Sequence, residues 1–360
     1  MELTQKDLLA LITLGGLVVI ALVLGLVLGL KVKNEEEPGV LNSYDNTDQL
    51  TKKFPVNNET TVFPGLEEHI KNRLLTGFEN WNRGFKAWKA WGDILYTKDS
   101  IYNVHGARLN LAHYQAAMDQ SLQQADIQMG AFHNMLIVGN FCAIHYDFVT
   151  GGRTSKVMEF VKFKEYGDND HPDTRVEEGW GSTKDNSYYG LISFQGNEEK
   201  AEQEGLNYYL LNYQLPTNYD NDLKNKYPVI YPIDYSDNVS YILINEIILS
   251  GFDSWNKGYS FYDKWVNDYY KPDAFSSSLN ETKRNLDIYL HGIKELFENE
   301  KITKLYFDNI LIRDDWAAIH YRYRSEGKKN RKVRVGDRME FFKFEKKGDN
   351  NYTIAANWVQ

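Results

Sequence analysis

The 360-residue sequence has a single cysteine, Cys142. This excludes an intrachain disulfide framework and any metal site that needs several cysteines. Positive charge is also scarce, with 41 lysines and arginines against 50 aspartates and glutamates and a net charge of −9. Because such a chain repels phosphate backbones unless a local basic patch overrides the net charge, no nucleic-acid partner is expected.

Long uncharged runs are equally scarce, and the longest is residues 8–30. It contains 23 consecutive residues without a charge, between Asp7 and Lys31. At about 1.5 Å per residue, a helix of this length spans the ~30 Å hydrocarbon core of a bilayer. A cleaved signal peptide would have a shorter apolar region ending in a small-x-small site. We therefore predict a single-pass transmembrane helix whose partner is the lipid bilayer.

The flanks of this segment leave its orientation open. Lys6 precedes it and Lys31 and Lys33 follow it, so the positive charges nearly balance. The expected localisation is a membrane, with the side of the globular part undecided. Small residues recur every four positions on one face of the predicted helix: Ala21, Gly25 and Gly29. Since such a face lets two helices approach closely, self-association is a second candidate contact.

Residues 31–65 lack apolar periodicity. They carry Glu35–Glu37 and three prolines, Pro38, Pro55 and Pro64. Such a composition cannot bury enough apolar surface to fold alone. We therefore predict a stalk between the membrane helix and the globular part.

The remainder of the chain contains an internal repeat. Residues 77–85 (GFENWNRGF) match residues 251–259 (GFDSWNKGY) at nearly every position. Residues 132–148 match residues 307–323 with eight identities in 17 positions. Roughly one identity is expected by chance over that length, so the match indicates a duplication.

The duplication divides the chain into a first copy at residues 66–185, a spacer at 186–240 and a second copy at 241–360. The spacer has ten aromatic residues, eight acidic side chains and only three basic ones. Because so many aromatic residues argue against a free linker, we expect the spacer to pack across one or both copies. A short helix is predicted near Tyr208–Tyr213.

Each copy begins with a helical pattern and continues with alternating strands. Aromatic residues at three- and four-residue steps indicate an amphipathic helix in each copy. They are Phe78, Trp81, Phe85 and Trp88 in the first copy and Phe252, Trp255, Tyr259 and Tyr262 in the second. Two-residue turns at Gly139–Asn140 and Asp314–Asp315 join antiparallel neighbours. This order predicts an α+β unit in which N-terminal helices cover one face of an antiparallel sheet.

This order of elements resembles the SnoaL-like branch of the nuclear transport factor two-like superfamily. In the first copy the resemblance rests on Trp91, Tyr96, Asp99–Tyr102, the hairpin Leu136–Tyr146 and the closing run Glu177–Trp180. In the second it rests on Trp265, Tyr270, Asp273, the run Leu311–Tyr321 and Trp358. The resemblance implies that each copy is a cone-shaped, curved antiparallel sheet whose mouth is covered by helices, leaving an apolar pocket.

Members of that family include cyclases, isomerases, dehydratases and non-catalytic binding modules, and fold alone does not choose among them. The resemblance implies that aromatic residues of both copies bind the ligand. The ligand-binding candidates are Trp88, Trp91, Tyr96, Tyr114, Tyr146, Trp180, Tyr262, Trp265, Tyr289 and Tyr321. The same stripe of aromatic residues is also typical of simple core packing.

Acid–base chemistry in the family uses a buried carboxylate or histidine, because an apolar cavity tunes the pKa of such a group. Asp99 and His105 are the catalytic candidates in the first copy. The second copy has Leu279 where His105 stands. We therefore expect the first copy to hold the more polar pocket, with a surface loop histidine as the alternative for His105.

Other histidines raise two further hypotheses. His105, His113, His133 and His145 lie within 41 residues, but the second copy lacks three of the four. No metal site is therefore expected, and no cofactor. Strand alternation places His145 on the face opposite the apolar residues. His145 and its counterpart His320 are predicted to mark the contact between the two copies, packed as an internal pseudo-dimer.

The sequence thus predicts a membrane-anchored tandem protein that binds a small apolar or amphipathic ligand, or a protein partner, without turnover. One alternative is an enzyme of the cyclase or isomerase type that uses the first copy. Another is a scaffold for envelope assembly.

Overall fold

The computed structural model describes residues 47–104, 107–124, 126–150, 152–166, 173–183, 197–218, 220–233, 239–278, 283–348 and 351–360. Within them, no helix combines the length and apolar character needed to cross a membrane. The predicted membrane helix, residues 8–30, lies outside the described residues, as does the part of the predicted stalk before residue 47.

The first copy consists of four described helices and seven described strands. The helices are α1 (Thr47–Lys53), α2 (Leu66–Asn82), α3 (Phe85–Leu95) and α4 (Leu111–Gln124). The strands are β1 (Val56–Glu59), β2 (Tyr96–Val104), β3 (Ala107–Asn110), β4 (Ile127–Val138), β5 (Phe141–Thr150), β6 (Arg153–Glu165) and β7 (Thr174–Thr183).

The spacer and the second copy supply the remaining elements. The described helices are α5 (Asn197–Asn212), α6 (Leu223–Lys226), α7 (Val239–Lys257), α8 (Tyr259–Tyr269) and α9 (Leu286–Asn299). The strands are β8 (Tyr270–Ser278), β9 (Arg284–Asn285), β10 (Glu300–Arg313), β11 (Trp316–Gly327), β12 (Val333–Lys346) and β13 (Tyr352–Val359).

Both copies have the α+β architecture that was predicted, but their sheets are mixed rather than wholly antiparallel. The strand orders are β1-β4-β5-β6-β7-β2-β3 and β10-β11-β12-β13-β8-β9, and neither described sheet closes into a barrel. The predicted turns at Gly139–Asn140 and Asp314–Asp315 join β4 to β5 and β10 to β11. The last long strand of each copy, however, lies parallel to the strand that follows the helices.

The amphipathic helix predicted at the start of each copy is in fact two helices. Gly84 separates α2 from α3 with a φ of 104°, and Gly258 separates α7 from α8 with a φ of 115°. Because side chains other than glycine rarely adopt such a φ, the helix breaks there in both copies. Gly77 of α2 lets the Trp91 ring of α3 pack closely against it, because a Cβ added at Gly77 would lie only 2.5 Å from that ring.

The repeat begins earlier than the predicted boundaries. Lys53–Val56 (KFPV) and Lys226–Val229 (KYPV) match, and the segment in each copy pairs in parallel with the same strand, Val56 with Phe132 and Val229 with Phe307. The preceding lysine forms an ion pair with a carboxylate of the first long helix: Lys53 with Glu79, and Lys226 with Asp253. The prediction that residues 31–65 are a free stalk is therefore wrong for residues 47–59, because α1 and β1 belong to the first copy.

The two sheets pack against each other through the faces that the helices leave uncovered. This contact is apolar and comes from both copies: Leu136, Val138, Phe141, Ala143, Met158, Phe160, Trp180, Leu311, Trp316, Ala318, Met339 and Phe341. His145 lies against Phe341 at 6.1 Å between ring centres, and His320 lies against Phe160 at 5.5 Å. Burial holds the pKa of His145 well below its ordinary value. The expected pseudo-dimer, with both histidines at its contact, is thus present.

The spacer packs across both copies, as expected. Arg108 of the first copy pairs with Glu202 of α5 at 2.6 Å. On the other side, Leu210 of α5 is buried against Tyr306 of β10. Tyr231 donates a hydrogen bond to Glu178 at 3.1 Å. The spacer is therefore a structural part of the pseudo-dimer.

Candidate functional site

Each copy has a cavity between its helices and the inner face of its sheet. The cavity of the second copy has a volume of about 280 Å³, whereas that of the first copy has about 70 Å³. Since small-molecule sites are concave and largely preformed, the larger cavity is the stronger candidate site.

The floor of the second-copy cavity carries a buried carboxylate, Glu340. The Tyr321 hydroxyl donates a hydrogen bond to Glu340 Oε1 at 2.6 Å, and Asn357 Nδ2 donates one to Oε2 at 3.2 Å. Ser276 donates a hydrogen bond to Asn357 at 3.2 Å, which orients the amide. Burial holds the pKa of Tyr321 well above its ordinary value, so the phenol remains a donor. The carboxylate is thereby fixed on the cavity wall.

A lysine lies beside this carboxylate. Lys304 Nζ is 3.9 Å from Glu340 Oε1, and the Lys304 side chain is only 9% exposed. The ammonium group lies over three rings, 4.4 Å from the centre of Phe252 and 4.8 Å from those of Trp255 and Tyr321. Burial lowers the pKa of Lys304 from 10.5 to about 8. The aromatic rings and Glu340 compensate only part of the lost hydration.

Two arginines, Arg284 and Arg338, add positive charge to the cavity wall. The rest of the wall is largely apolar or aromatic, with Tyr262, Tyr289, Ile293, Leu296 and Ile302 among its members. The Tyr262 and Tyr289 hydroxyls lie 2.7 Å apart, in hydrogen-bond contact. Three cationic side chains and one carboxylate therefore face this cavity among the described residues.

The first-copy cavity is smaller because a tyrosine fills it. Tyr102 stacks on Tyr114 with 4.2 Å between ring centres. Gly179 leaves the space for this ring, since an added Cβ would lie 2.4 Å from Tyr102 Cε2. Glu159 is retained and accepts a hydrogen bond from Tyr146 at 2.9 Å. Around it the wall is otherwise aromatic and aliphatic.

Strand register shows which substitutions distinguish the two cavities. Tyr102 pairs with Leu109 and with Gly179, and at the equivalent positions Ser276 pairs with Arg284 and lies beside Asn357. Met129 stands opposite Phe148, as Lys304 stands opposite Tyr323. Val157 stands opposite Tyr146, as Arg338 stands opposite Tyr321. The second copy therefore has Ser, Asn, Arg, Lys and Arg where the first has Tyr, Gly, Leu, Met and Val.

Eight of the ten predicted ligand-binding aromatics line a cavity. Trp88, Trp91, Tyr96, Tyr114 and Tyr146 line the first cavity, and Tyr262, Tyr289 and Tyr321 line the second. Trp265 lies behind the wall, stacked on Tyr262 at 5.4 Å. Trp180 is on the opposite face of its sheet, in contact with His320 at 5.7 Å. Contact of the eight with a ligand stays a prediction.

Of the two catalytic candidates of the first copy, the structure describes Asp99, which lies away from the cavity. Asp99 is exposed on β2 and is absent from the cavity wall. His105 lies outside the described residues. The expectation that the first copy holds the more polar pocket is not met by the described residues, because Glu159 is the only charged side chain on that wall. In the part of the chain that the structure describes, no three metal-ligating side chains come together.

Sequence comparison gives no relative. Neither a known protein family nor a curated protein matches the chain.

Solved structures similar to parts of this chain include several proteins of the nuclear transport factor two-like type. A ketosteroid isomerase-like protein from Erwinia carotovora atroseptica has 12% identity and a TM-score of 0.28, with 35% of this chain and 96% of that chain covered. A SnoaL-like polyketide cyclase, so described for Mesorhizobium loti, has 13% identity and a TM-score of 0.26, with 32% and 97% covered. A polyketide cyclase, so described for Xanthomonas campestris, has 9% identity and a TM-score of 0.28, with 32% and 87% covered. Each match spans about one third of this chain.

Proposed function

We propose that the second copy binds a small amphipathic ligand that carries an anionic group. The observation behind this proposal is the buried Lys304–Glu340–Tyr321 cluster on the wall of the 280 Å³ cavity. Burying such a charged cluster costs desolvation free energy, and the cluster adds little to the stability of the fold. Its presence in only one copy therefore favours a binding role.

Charge and surface chemistry indicate the class of ligand. The cationic side chains Lys304, Arg284 and Arg338 outnumber the single carboxylate, Glu340, on the wall. Guanidinium groups match carboxylate and phosphate oxygens well. The aromatic and aliphatic remainder of the wall suits an apolar body. A compact ring or short chain with one acidic group satisfies both surfaces.

Binding without turnover is favoured over removal of a C–H proton from the ligand. Both oxygens of Glu340 already accept hydrogen bonds, from Tyr321 and Asn357. A general base needs a carboxylate oxygen within reach of the proton it removes. Donors on both oxygens stabilise the carboxylate as a fixed part of the wall.

The test is isothermal titration of the full chain with 4-(hydroxymethyl)benzoate, an aromatic ring with one carboxylate. Saturable binding with one site per chain is expected. Arg338→Val, which copies Val157 of the first copy, should weaken binding about tenfold, the typical value of one charged hydrogen bond. Val157→Arg is the matched control and should leave the affinity unchanged. Absence of binding by this probe and by longer-chain carboxylates would contradict the proposal.

We also propose that residues 8–30 anchor the protein in a membrane, on the sequence pattern alone. Detergent should release the full chain from membranes, and neither salt nor alkaline carbonate should do so. Recovery of the full chain in the carbonate-soluble fraction would contradict the anchor.

A further inference from the structure

We propose that Lys304 forms a reversible imine with the carbonyl carbon of an aldehyde or ketone that occupies the second-copy cavity. The proposal rests on the proposed function in that the cavity must admit a small molecule. It adds the chemical class of the ligand, a carbonyl compound that also carries an acidic group.

The position of Lys304 suits a covalent contact. Lys304 belongs to the wall of the cavity, on β10 at one end of the strand order of the second sheet, and its side chain is 9% exposed. The rings of Phe252, Trp255 and Tyr321 restrict the side chain on several sides. An amine that is held in this way needs little further ordering to reach a bound carbonyl carbon.

The neighbouring groups supply the proton transfers that imine formation requires. The neutral amine adds to the carbonyl carbon, forming the C–N bond and breaking the C=O π bond; the nitrogen gives up one proton and the oxygen takes one up, which gives a neutral carbinolamine. The carbinolamine hydroxyl then takes up a second proton and leaves as water, the nitrogen lone pair forms the C=N bond, and loss of the last N–H proton gives the neutral imine and returns the second proton. Glu340 Oε1 lies 3.9 Å from Lys304 Nζ and accepts one hydrogen bond, from Tyr321, so its second lone pair can exchange protons with the amine. The Tyr321 hydroxyl is on the same wall and can exchange them with the carbonyl oxygen.

The acidity of the amine agrees with this geometry. Because burial lowers the pKa of Lys304 to about 8, roughly one tenth of the amine is neutral at pH 7. An ordinary lysine with a pKa near 10.5 is almost fully protonated there. Desolvated lysines are the usual source of nucleophilic amines in proteins.

The first copy lacks this chemistry although it has the same carboxylate and tyrosine. Met129 occupies the position of Lys304, and the Tyr102 ring lines the same, smaller cavity. The lysine and the cavity therefore occur together in the second copy. This pairing favours a ligand-directed role for the amine over a role in the fold.

The experiment is reductive trapping. The full chain is incubated with 4-carboxybenzaldehyde and cyanoborohydride, which delivers a hydride to the imine carbon, and modified lysines are mapped by peptide mass spectrometry. At low aldehyde concentration, Lys304 should be modified at least tenfold faster than the exposed Lys301 and Lys294. Modification of Lys304 no faster than of these two lysines would overturn the proposal.

Two variants and one second probe separate the possible outcomes. Ser276→Tyr, which narrows the cavity but keeps the amine, should slow the trapping of Lys304 at least tenfold, and trapping at the unchanged rate would overturn the proposal. Glu340→Gln should also slow the trapping of Lys304, and trapping at the unchanged rate would contradict a role of Glu340 in the proton transfers. The second probe, 4-(hydroxymethyl)benzoate, has no carbonyl and reports binding alone. If this alcohol binds but Lys304 is not trapped, the imine is excluded and the proposed function stands. If the alcohol does not bind and Lys304 is not trapped, both the imine and the proposed ligand binding are contradicted.

Discussion

The two copies share a strand register and a pseudo-dimer contact, yet the interiors beneath their helices are opposite in character. In the first copy Tyr102 stacks on Tyr114 inside the cavity, and the wall around Glu159 is otherwise aromatic and aliphatic. In the second copy the equivalent space is open and carries Lys304 and Arg338. The difference teaches that stability and ligand binding need not reside in the same copy. A duplicated fold can keep one interior as a packed core and use the other as a site.

The largest effect should come from the shared carboxylates. Glu340→Leu leaves the Lys304 charge without its carboxylate and the Tyr321 and Asn357 donors without their acceptor. Breaking a buried charge pair on one side costs about 3–5 kcal/mol. Glu159→Leu removes the hydrogen-bond acceptor of Tyr146 but leaves no buried lysine without its counter-charge. We therefore expect a loss of about 1–2 kcal/mol in the free energy of unfolding. Urea titration measures the loss of unfolding free energy in both variants. Equal losses would contradict the difference that we infer between the two copies.

A second effect concerns the buried ammonium. The lowered pKa of Lys304 corresponds to about 3 kcal/mol that the charged form costs in the folded state. Lys304→Met, which copies Met129, should therefore stabilise the protein at pH 7. Between pH 8 and 10.5 the unfolded chain holds more protons than the folded one, so wild-type stability rises with pH. The gain from Lys304→Met should shrink over that interval, and a gain independent of pH would contradict the account.

Tyr102 and Gly179 are neighbours in the first copy, and Ser276 and Asn357 replace them in the second. We therefore expect the effects of substitutions at Tyr102 and Gly179 on stability to be coupled. Gly179→Asn alone should destabilise the first copy by about 1–3 kcal/mol, because the new side chain meets the Tyr102 ring. Tyr102→Ser alone should cost about 3 kcal/mol through the cavity it opens. The double variant should cost clearly less than the sum, by at least about 1 kcal/mol. Additive losses in urea titrations would show that the two positions do not determine the packing together.

The smallest effect is expected at the exposed acidic pair. Asp99 is exposed, and the Asp273 side chain is 81% exposed. Asp99→Asn and Asp273→Asn should each change the free energy of unfolding by less than about 0.5 kcal/mol and leave probe affinity unchanged. A loss of probe affinity in Asp99→Asn alone would indicate that the ligand site lies in the first copy instead.

Patterns with strong periodicity predicted much of the fold. The hairpins at Gly139 and Asp314 followed from turn chemistry, and alternation along β5 placed His145 at the contact between the copies. The start of each repeat was missed because four matching residues, KFPV and KYPV, are too few to recognise without the shared pairing of Val56 and Val229.

The site was the harder part to predict. The sequence did not predict Lys304 and Arg338 as site residues. A single lysine or arginine on an alternating strand usually faces solvent, so neither residue stands out. Comparison of the copies position by position would have exposed the exchange of Met129 for Lys304. The exchange indicates a site only when it is known which residues of each strand face the cavity. The register shift next to Lys304 interrupts the alternation from which that face could be predicted.

The most direct test fills the second cavity with the side chains of the first. In Ser276→Tyr/Asn357→Gly, the tyrosine ring should occupy the open space of the second cavity as Tyr102 occupies the first. Isothermal titration with 4-(hydroxymethyl)benzoate should then show at least a tenfold loss of affinity, with thermal stability equal to or above that of the wild type. Unchanged affinity in a folded double variant would contradict the claim that the ligand site is the cavity of the second copy.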